Sequence, residues 1–262
     1  KLKISGMATI IKTKEEEEIV RGGGRRLAFV LGELGKAAVP GVTTKELDIL
    51  AERLIREKGD TPAFLNYKPD GASRPFPAAL CASVNNEVVH GIPSGKELKE
   101  GDIIGLDLGL KHKGFFVDAA ISVPIGKVES KYIKLIDTTR EALSAGISAV
   151  KIGGRIGDIS SAIEKVAARG RFGVVLVLGG HAIGKHVHET PFIPNYGRAG
   201  TGPVIQKGML LALEPIFNES GAEVYMDRKD GYTFRTADGL RSAHFEHTVL
   251  VTEKGGEILT TL

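Results

Sequence analysis

The sequence predicts an α+β fold made of two similar halves, residues about 13–128 and 129–262, each running helix, helix and then several strands. The first ground is a set of spacings that recur in order. Gly41 precedes Leu47 by six positions, and Gly153 precedes Ile159 by six. His90-Gly91-Ile92-Pro93 is answered by His188-Glu189-Thr190-Pro191. Gly101 stands six before Asp107, and Gly208 six before Glu214, each across an apolar run. Matches in the same order argue for an internal duplication, and a repeat fixes architecture. The second ground is helical periodicity ahead of each set of strands. Two halves related by a pseudo-two-fold axis would put their strands in one curved antiparallel sheet with the helices on its outer face.

The first helix is expected from Lys14, behind a capping box of Thr13 and Glu16, with Ile19, Val20, Leu27, Val30 and Leu34 on its apolar stripe. Gly22 to Gly24 oppose it at about 1 kcal/mol each relative to alanine. A second helix follows Thr43, boxed with Glu46, and runs through Leu50, Leu54 and Ile55 to Gly59. Two antiparallel strands carrying Asp107 and Asp118 are then expected, joined through the polar turn Lys111-His112-Lys113-Gly114, with His112 in solvent. The third helix runs from about Ser130 to Val150, with Ile133, Ile136, Leu143 and Ile147 on one stripe. The fourth carries Ile159, Ile163 and Val166 to Gly170. Gly59 and Gly170 read as C-caps in the left-handed conformation.

Composition narrows the function classes. The chain has 262 residues, 42% of them apolar, enough for a sizeable core. One cysteine, Cys81, forbids an intrachain disulfide and fits a reducing, cytoplasmic setting. No apolar run approaches the roughly 18 residues a membrane helix needs, and the N-terminus has no signal-peptide core. A net charge of +3 gives no argument for nucleic-acid binding. Residues 1–12 are expected as an N-terminal extension, with Met7 as the natural start.

Five residues able to hold a hard divalent metal stand in apolar, strand-like settings: Asp107, Asp118, His181, Glu214 and Glu246. An unpaired carboxylate in a half-buried strand is costly, so four acids and an imidazole placed this way point to a dinuclear metal site. Carboxylates with one imidazole suit Mn, Fe, Co or Zn, and the absence of thiolates argues against structural zinc. Two such ions can acidify a water and stabilise the intermediate of amide hydrolysis. His90 and His188 would flank the metals, one orienting the substrate amide and one donating to the oxyanion. His186 stays open. Gly179 to Lys185 mimics a phosphate loop, but His186 stands where that motif needs a hydroxyl.

With these residues in hand, the chain resembles the type I methionine aminopeptidases, which have the pita-bread fold. The resemblance covers about residues 13–262, expected as one catalytic domain. It is carried by CASVNNEVVHGIP, GDIIGLDLG with FFVDAA, GGHAIGKHVHETP, GMLLALEPIF and SAHFEHTVLVTEKGGEIL. It implies that Asp107 chelates one metal, that Asp118 and Glu246 bridge two, and that His181 and Glu214 complete the other. It also implies that Glu214 shuttles the proton of the attacking water, that His90 and His188 contact substrate, and that Phe76, Cys81 and Tyr232 line a methionine pocket. The cofactors implied are two divalent ions (Co, Mn, Fe or Zn). The implied substrates are nascent polypeptide N-termini, with the ribosome as a candidate partner and a monomer as the expected state. The sequence departs from the family at Ala182, where glycine is usual, at Ala119, where a hydroxyl is common, at His244, where glutamine is frequent, and at Tyr232, where many members have tryptophan. Two alternatives stand beside this reading: an Xaa-Pro aminopeptidase or prolidase, and a non-catalytic binding module on the same fold.

Overall fold

The first half of the chain runs α1 (Lys14–Ala37), α2 (Thr44–Glu57), β1 (Thr61–Pro62), β2 (Leu80–Val84), β3 (Glu87–Val89), β4 (Ile103–His112) and β5 (Phe115–Pro124). The second opens with α3 (Ser130–Ser148), α4 (Ile156–Gly170), β6 (Gly173–Val174), β7 (Gly179–Ala182), β8 (Glu189–Pro194) and β9 (Leu210–Leu213). It closes with β10 (Ile216–Asn218), β11 (Val224–Met226), β12 (Phe234–Thr236), β13 (Ser242–His244), β14 (Glu246–Thr252) and β15 (Gly255–Ile258). The structure, a computed structural model, describes residues 8–69 and 71–261, so Met7 lies outside the described residues.

Both predicted capping boxes form. The Thr13 and Thr43 side chains each accept from the backbone N–H three residues on, and Glu16 and Glu46 reach back to the capping residue's own N–H. A nine-stranded antiparallel sheet follows the order β1-β4-β5-β14-β9-β7-β8, with β2 added on β4 and β15 on β14. β14 therefore joins the two halves: it pairs with β5 on one side and β9 on the other.

The duplication is visible in backbone geometry. Gly41 N–H donates to Leu98 O at 2.8 Å, and Gly153 N–H to Ile205 O at 2.9 Å. Bridges pair Thr43 with Glu97 and Arg155 with Val204, ahead of α2 and α4 respectively. Gly101 and Gly208, the two glycines that precede the acid-bearing strands, have φ of 91° and 82°, where a side chain would strain the backbone.

Strand parity decides which face carries chemistry. Ile104, Leu106, Leu108 and Leu110 of β4 and Val117 and Ala119 of β5 pack with Leu27, Leu31 and Leu34 of α1 and Leu47 and Ile55 of α2. In the second half, Leu211, Leu213, Val249 and Val251 pack with Leu143 and Ile147 of α3 and Ile159 and Ile163 of α4. Alternation then turns Asp107, Asp118, Ala120, Ala212, Glu246 and Thr248 to the face away from the helices.

Three local expectations are corrected. β4 continues through His112, so the turn is only Lys113-Gly114, with φ of 45° and 88° as a two-residue hairpin requires. His112 is buried rather than solvated, with Nδ1 2.7 Å from Asp60 Oδ1. The glycines of α1 explain this, because a Cβ on Gly23 would lie 3.2 Å from His112 Cβ. Lastly, Arg171 and not Gly170 takes the left-handed cap of α4, at φ 62°. Gly170 is small because a Cβ there would sit 2.7 Å from Thr138 Cγ2 of α3.

Gly24 makes the tightest of these approaches. Its added Cβ would stand 2.1 Å from Leu259 O. Gly24→Ala is expected to destabilise the protein by about 1–3 kcal/mol, despite better helix propensity. Urea unfolding would measure this, and an unchanged or raised midpoint would contradict the packing argument.

Candidate metal centre

Three adjacent strands build the acidic part. Asp107 on β4 is opposite Ala120 on β5, and Ala120 is opposite Glu246 on β14. Asp118 stands two residues before Ala120 on the same face of β5, so the carboxylates surround the one-carbon side chain of Ala120. His181 on β7 is opposite Ala212 on β9, again a small residue. Glu214 lies just past β9. Asn195 Nδ2 donates to its carbonyl at 2.9 Å.

All five predicted residues converge. Asp118, His181 and Glu246 each present a donor atom, all within 4.8 Å of one another. Glu214 Oε1 stands 3.6 Å from His181 Nε2. Asp107 feels the charges of Asp118 and Glu214 and lies opposite Cys81 of β2. His181 Nδ1 lies 3.0 Å from Ala182 O. That carbonyl can only accept, so Nδ1 carries the proton and the Nε2 lone pair faces the carboxylates.

Burial pushes all four carboxyls up. Asp118 rises to about 7, and Glu214 to about 8 through burial first and the Asp118 charge second. Asp107 and Glu246 are also raised, by burial and then by their acidic neighbours. His181 is held down at about 4 by burial. Asp107 Oδ1, Asp118 Oδ1 and Glu246 Oε1 are buried with no hydrogen-bond donor. Orphaned carboxylate oxygens of this kind are costly unless a cation completes them. An oxygen-rich set with one imidazole nitrogen fits divalent first-row metals.

Neutral imidazoles and an apolar cluster border the acids. The His188 and His181 rings are 4.5 Å apart, and Tyr67 Oη lies 2.8 Å from His188 Nδ1. Burial first, and then His181 and His90, hold His188 well below its ordinary pKa. Burial brings His90, whose φ is 58°, down to about 4. Phe76, Cys81 and Tyr232 meet in one apolar cluster with Phe64, Ala78 and Val187. The Phe76 and Tyr232 rings stand edge to face at 5.1 Å, and Tyr232 Oη donates to Arg74 O at 2.5 Å. Burial and the surrounding acids raise the Cys81 thiol well above its usual value, so it stays neutral.

Residues 18–253 match the metallopeptidase family M24. The chain belongs to that family. It is 42% identical to methionine aminopeptidase 1 of Bacillus subtilis over 251 residues, covering 96% of this chain and 98% of that one. The crystal structure of methionine aminopeptidase from Thermotoga maritima superposes with a TM-score of 0.92 at 40% identity, covering 98% of this chain and all of the other. A prolidase from Pyrococcus horikoshii matches at TM-score 0.73 and 20% identity, and this chain covers 63% of it, so that likeness shows the fold alone. The pita-bread fold implied by the sequence resemblance is the fold of this M24 chain.

Within this M24 chain, Gly179–Ala182 forms a sheet strand, and the following turn leads into β8 rather than a helix, so no phosphate loop is built. His186 is exposed. Tyr67, Asn195 and Val187 were not anticipated. Tyr67 meets His188 across 121 positions of chain, a contact with no local sequence signal. Asn195 gave a faint one, as a polar residue after the apolar run Phe192-Ile193-Pro194. Among the described residues, no helix is long and apolar enough to cross a membrane.

Proposed function

We propose that this metallopeptidase removes the initiator methionine from nascent polypeptides, with residues 13–262 acting as one catalytic unit in the cytoplasm. The observation that carries the reading is the pairing of Cys81 with Asp107 across β2 and β4, which sets the apolar cluster of Phe76, Cys81 and Tyr232 directly against the acids. A polarizable thiol and aromatic walls suit a thioether side chain. A monomer, working on chains as they leave the ribosome, is consistent with this reading.

Asp107, Asp118, His181, Glu214 and Glu246 would together hold two divalent ions. When bound, Co, Mn, Fe or Zn would supply Lewis-acid polarisation of the first peptide carbonyl and a lowered pKa for the attacking water. Glu214 takes the proton released as water adds to the carbonyl carbon, and returns it to the nitrogen as the C–N bond breaks. Tyr67 holds Nδ1 of His188, leaving Nε2 to face the substrate. His188 and His90, kept neutral by burial, supply N–H donors to the scissile amide and its developing oxyanion.

The test is hydrolysis of Met-Ala-Ser against Ala-Pro peptides by chelator-stripped protein given Mn, Co or Fe. Faster release of methionine is expected. Preference for the proline peptides would favour a prolidase activity, and binding without cleavage would favour a binding module. In the same assay, Cys81→Ala should raise KM for methionine peptides by about tenfold with kcat little changed, since it removes side-chain recognition remote from the reacting bond. Equal activity on Leu and Met termini in the unaltered protein would argue against a tuned pocket.

A further inference from the structure

His244 is a buried group that the proposed reaction leaves unused. It is 3% exposed, and its Nε2 is enclosed with no hydrogen-bond partner. That atom stands 3.6 Å from Glu214 Oε2 and 4.0 Å from Glu246 Oε2. The backbone leaves the ring little freedom. β13 pairs with β10 through His244 and Ile216, and Ser122 Oγ accepts from His244 N–H while donating to His244 O, both at 2.9 Å. Once bound cations ionise Glu214 and Glu246, a lone pair aimed at their oxygens would meet only acceptors, so Nε2 carries the hydrogen in the metal-loaded protein. His244 also lies outside the compact donor group of Asp118, His181 and Glu246.

We propose that His244 is a positioning residue for Glu214: its Nε2–H holds the outer oxygen Oε2 and keeps Oε1 turned toward His181. This inference rests on the proposed metal-dependent function. Glu214 is then held at two points, its carbonyl by Asn195 and Oε2 by His244, which leaves Oε1 toward His181. A donor behind a ligand carboxylate fixes its orientation, and removing such a partner typically costs 10–100-fold in metal affinity or activity. Glutamine, the residue frequent at this place in the family, offers an amide N–H for the same purpose.

The experiment is calorimetric titration of Mn²⁺ into the chelator-stripped protein and into His244→Gln and His244→Ala. Visible spectra of the Co²⁺ forms and histidine-ring nitrogen NMR of the unaltered chain accompany it. His244→Ala should bind Mn²⁺ about 10–100-fold more weakly and His244→Gln within about threefold of the unaltered protein. The Co²⁺ bands should keep their positions in all three, and Nε2 of residue 244 should stay protonated when metal is added. Equal affinity in His244→Ala, or equal loss in both variants, would overturn the inference. So would a shifted Co²⁺ spectrum or a deprotonated Nε2, either of which would make His244 a direct ligand. The NMR reading needs no variant, so it stands even where His244→Ala does not fold. If the unaltered protein takes up no metal at all, the metal-dependent function fails as well. Uptake with a silent His244→Ala sinks this inference alone.

Discussion

Glu214→Gln is expected to lower kcat on methionine peptides by about a hundredfold to ten-thousandfold, with KM little changed. Burial and the Asp118 charge raise its carboxyl to about 8 in the metal-free protein, and nearby cations would favour the ionised form that accepts a proton. An amide cannot take that proton, and it carries no charge toward a cation. The side chain keeps its length, so packing next to Ala212 and the grip of Asn195 on the Glu214 carbonyl survive. Melting temperature without metal should therefore hold or rise, because one of four crowded acids is gone. An unchanged kcat would remove Glu214 from the chemistry.

The metal-free protein should lose stability as pH rises from about 6.5 to 8. Asp118 and Glu214 have folded pKa values raised to about 7 and 8. Their contribution is complete below the unfolded value near 4 and disappears as pH climbs through the raised values. The buried histidines act in the opposite sense. His181 and His90, lowered to about 4, and His244, lowered to about 3, contribute fully above about 6.5 and lose that contribution as pH falls toward those values. Between about 4 and 6.5 the two sets oppose each other. Above 6.5 only the carboxyls still titrate, and the cost reaches the order of several kcal/mol. Melting temperatures of stripped protein, with and without Mn²⁺, would show a fall that the ion abolishes. Parallel curves across that window would mean the four acids are not a metal-binding unit.

What could be read from the sequence was what local rules govern. The capping boxes at Thr13 and Thr43 involve residues three apart, and both were legible. The five acid and histidine positions stood out because each interrupts an apolar run, and strand parity carried them all to one face. His112 was misread because polar neighbours signal a turn, while α1, with glycines at the contact, closes over the ring. The cap of α4 was misread because Gly170 serves close helix packing and leaves Arg171 the strained conformation. Tyr67 and Asn195 act on groups that only the tertiary fold brings near. His244 showed in the sequence as a departure, but the direction of its ring did not.

The position of β14 at the seam of the sheet has a consequence for synthesis. The open edge of β5 must wait for β14, which is made only after α3, α4 and β6 to β13, while the earlier hairpin is already exposed. Glu246 begins that strand, so assembly of the acid cluster and closure of the sheet are one late event. An incompletely translated chain therefore presents an unsatisfied strand edge and no working centre, which makes premature termination products both inactive and prone to edge-to-edge association.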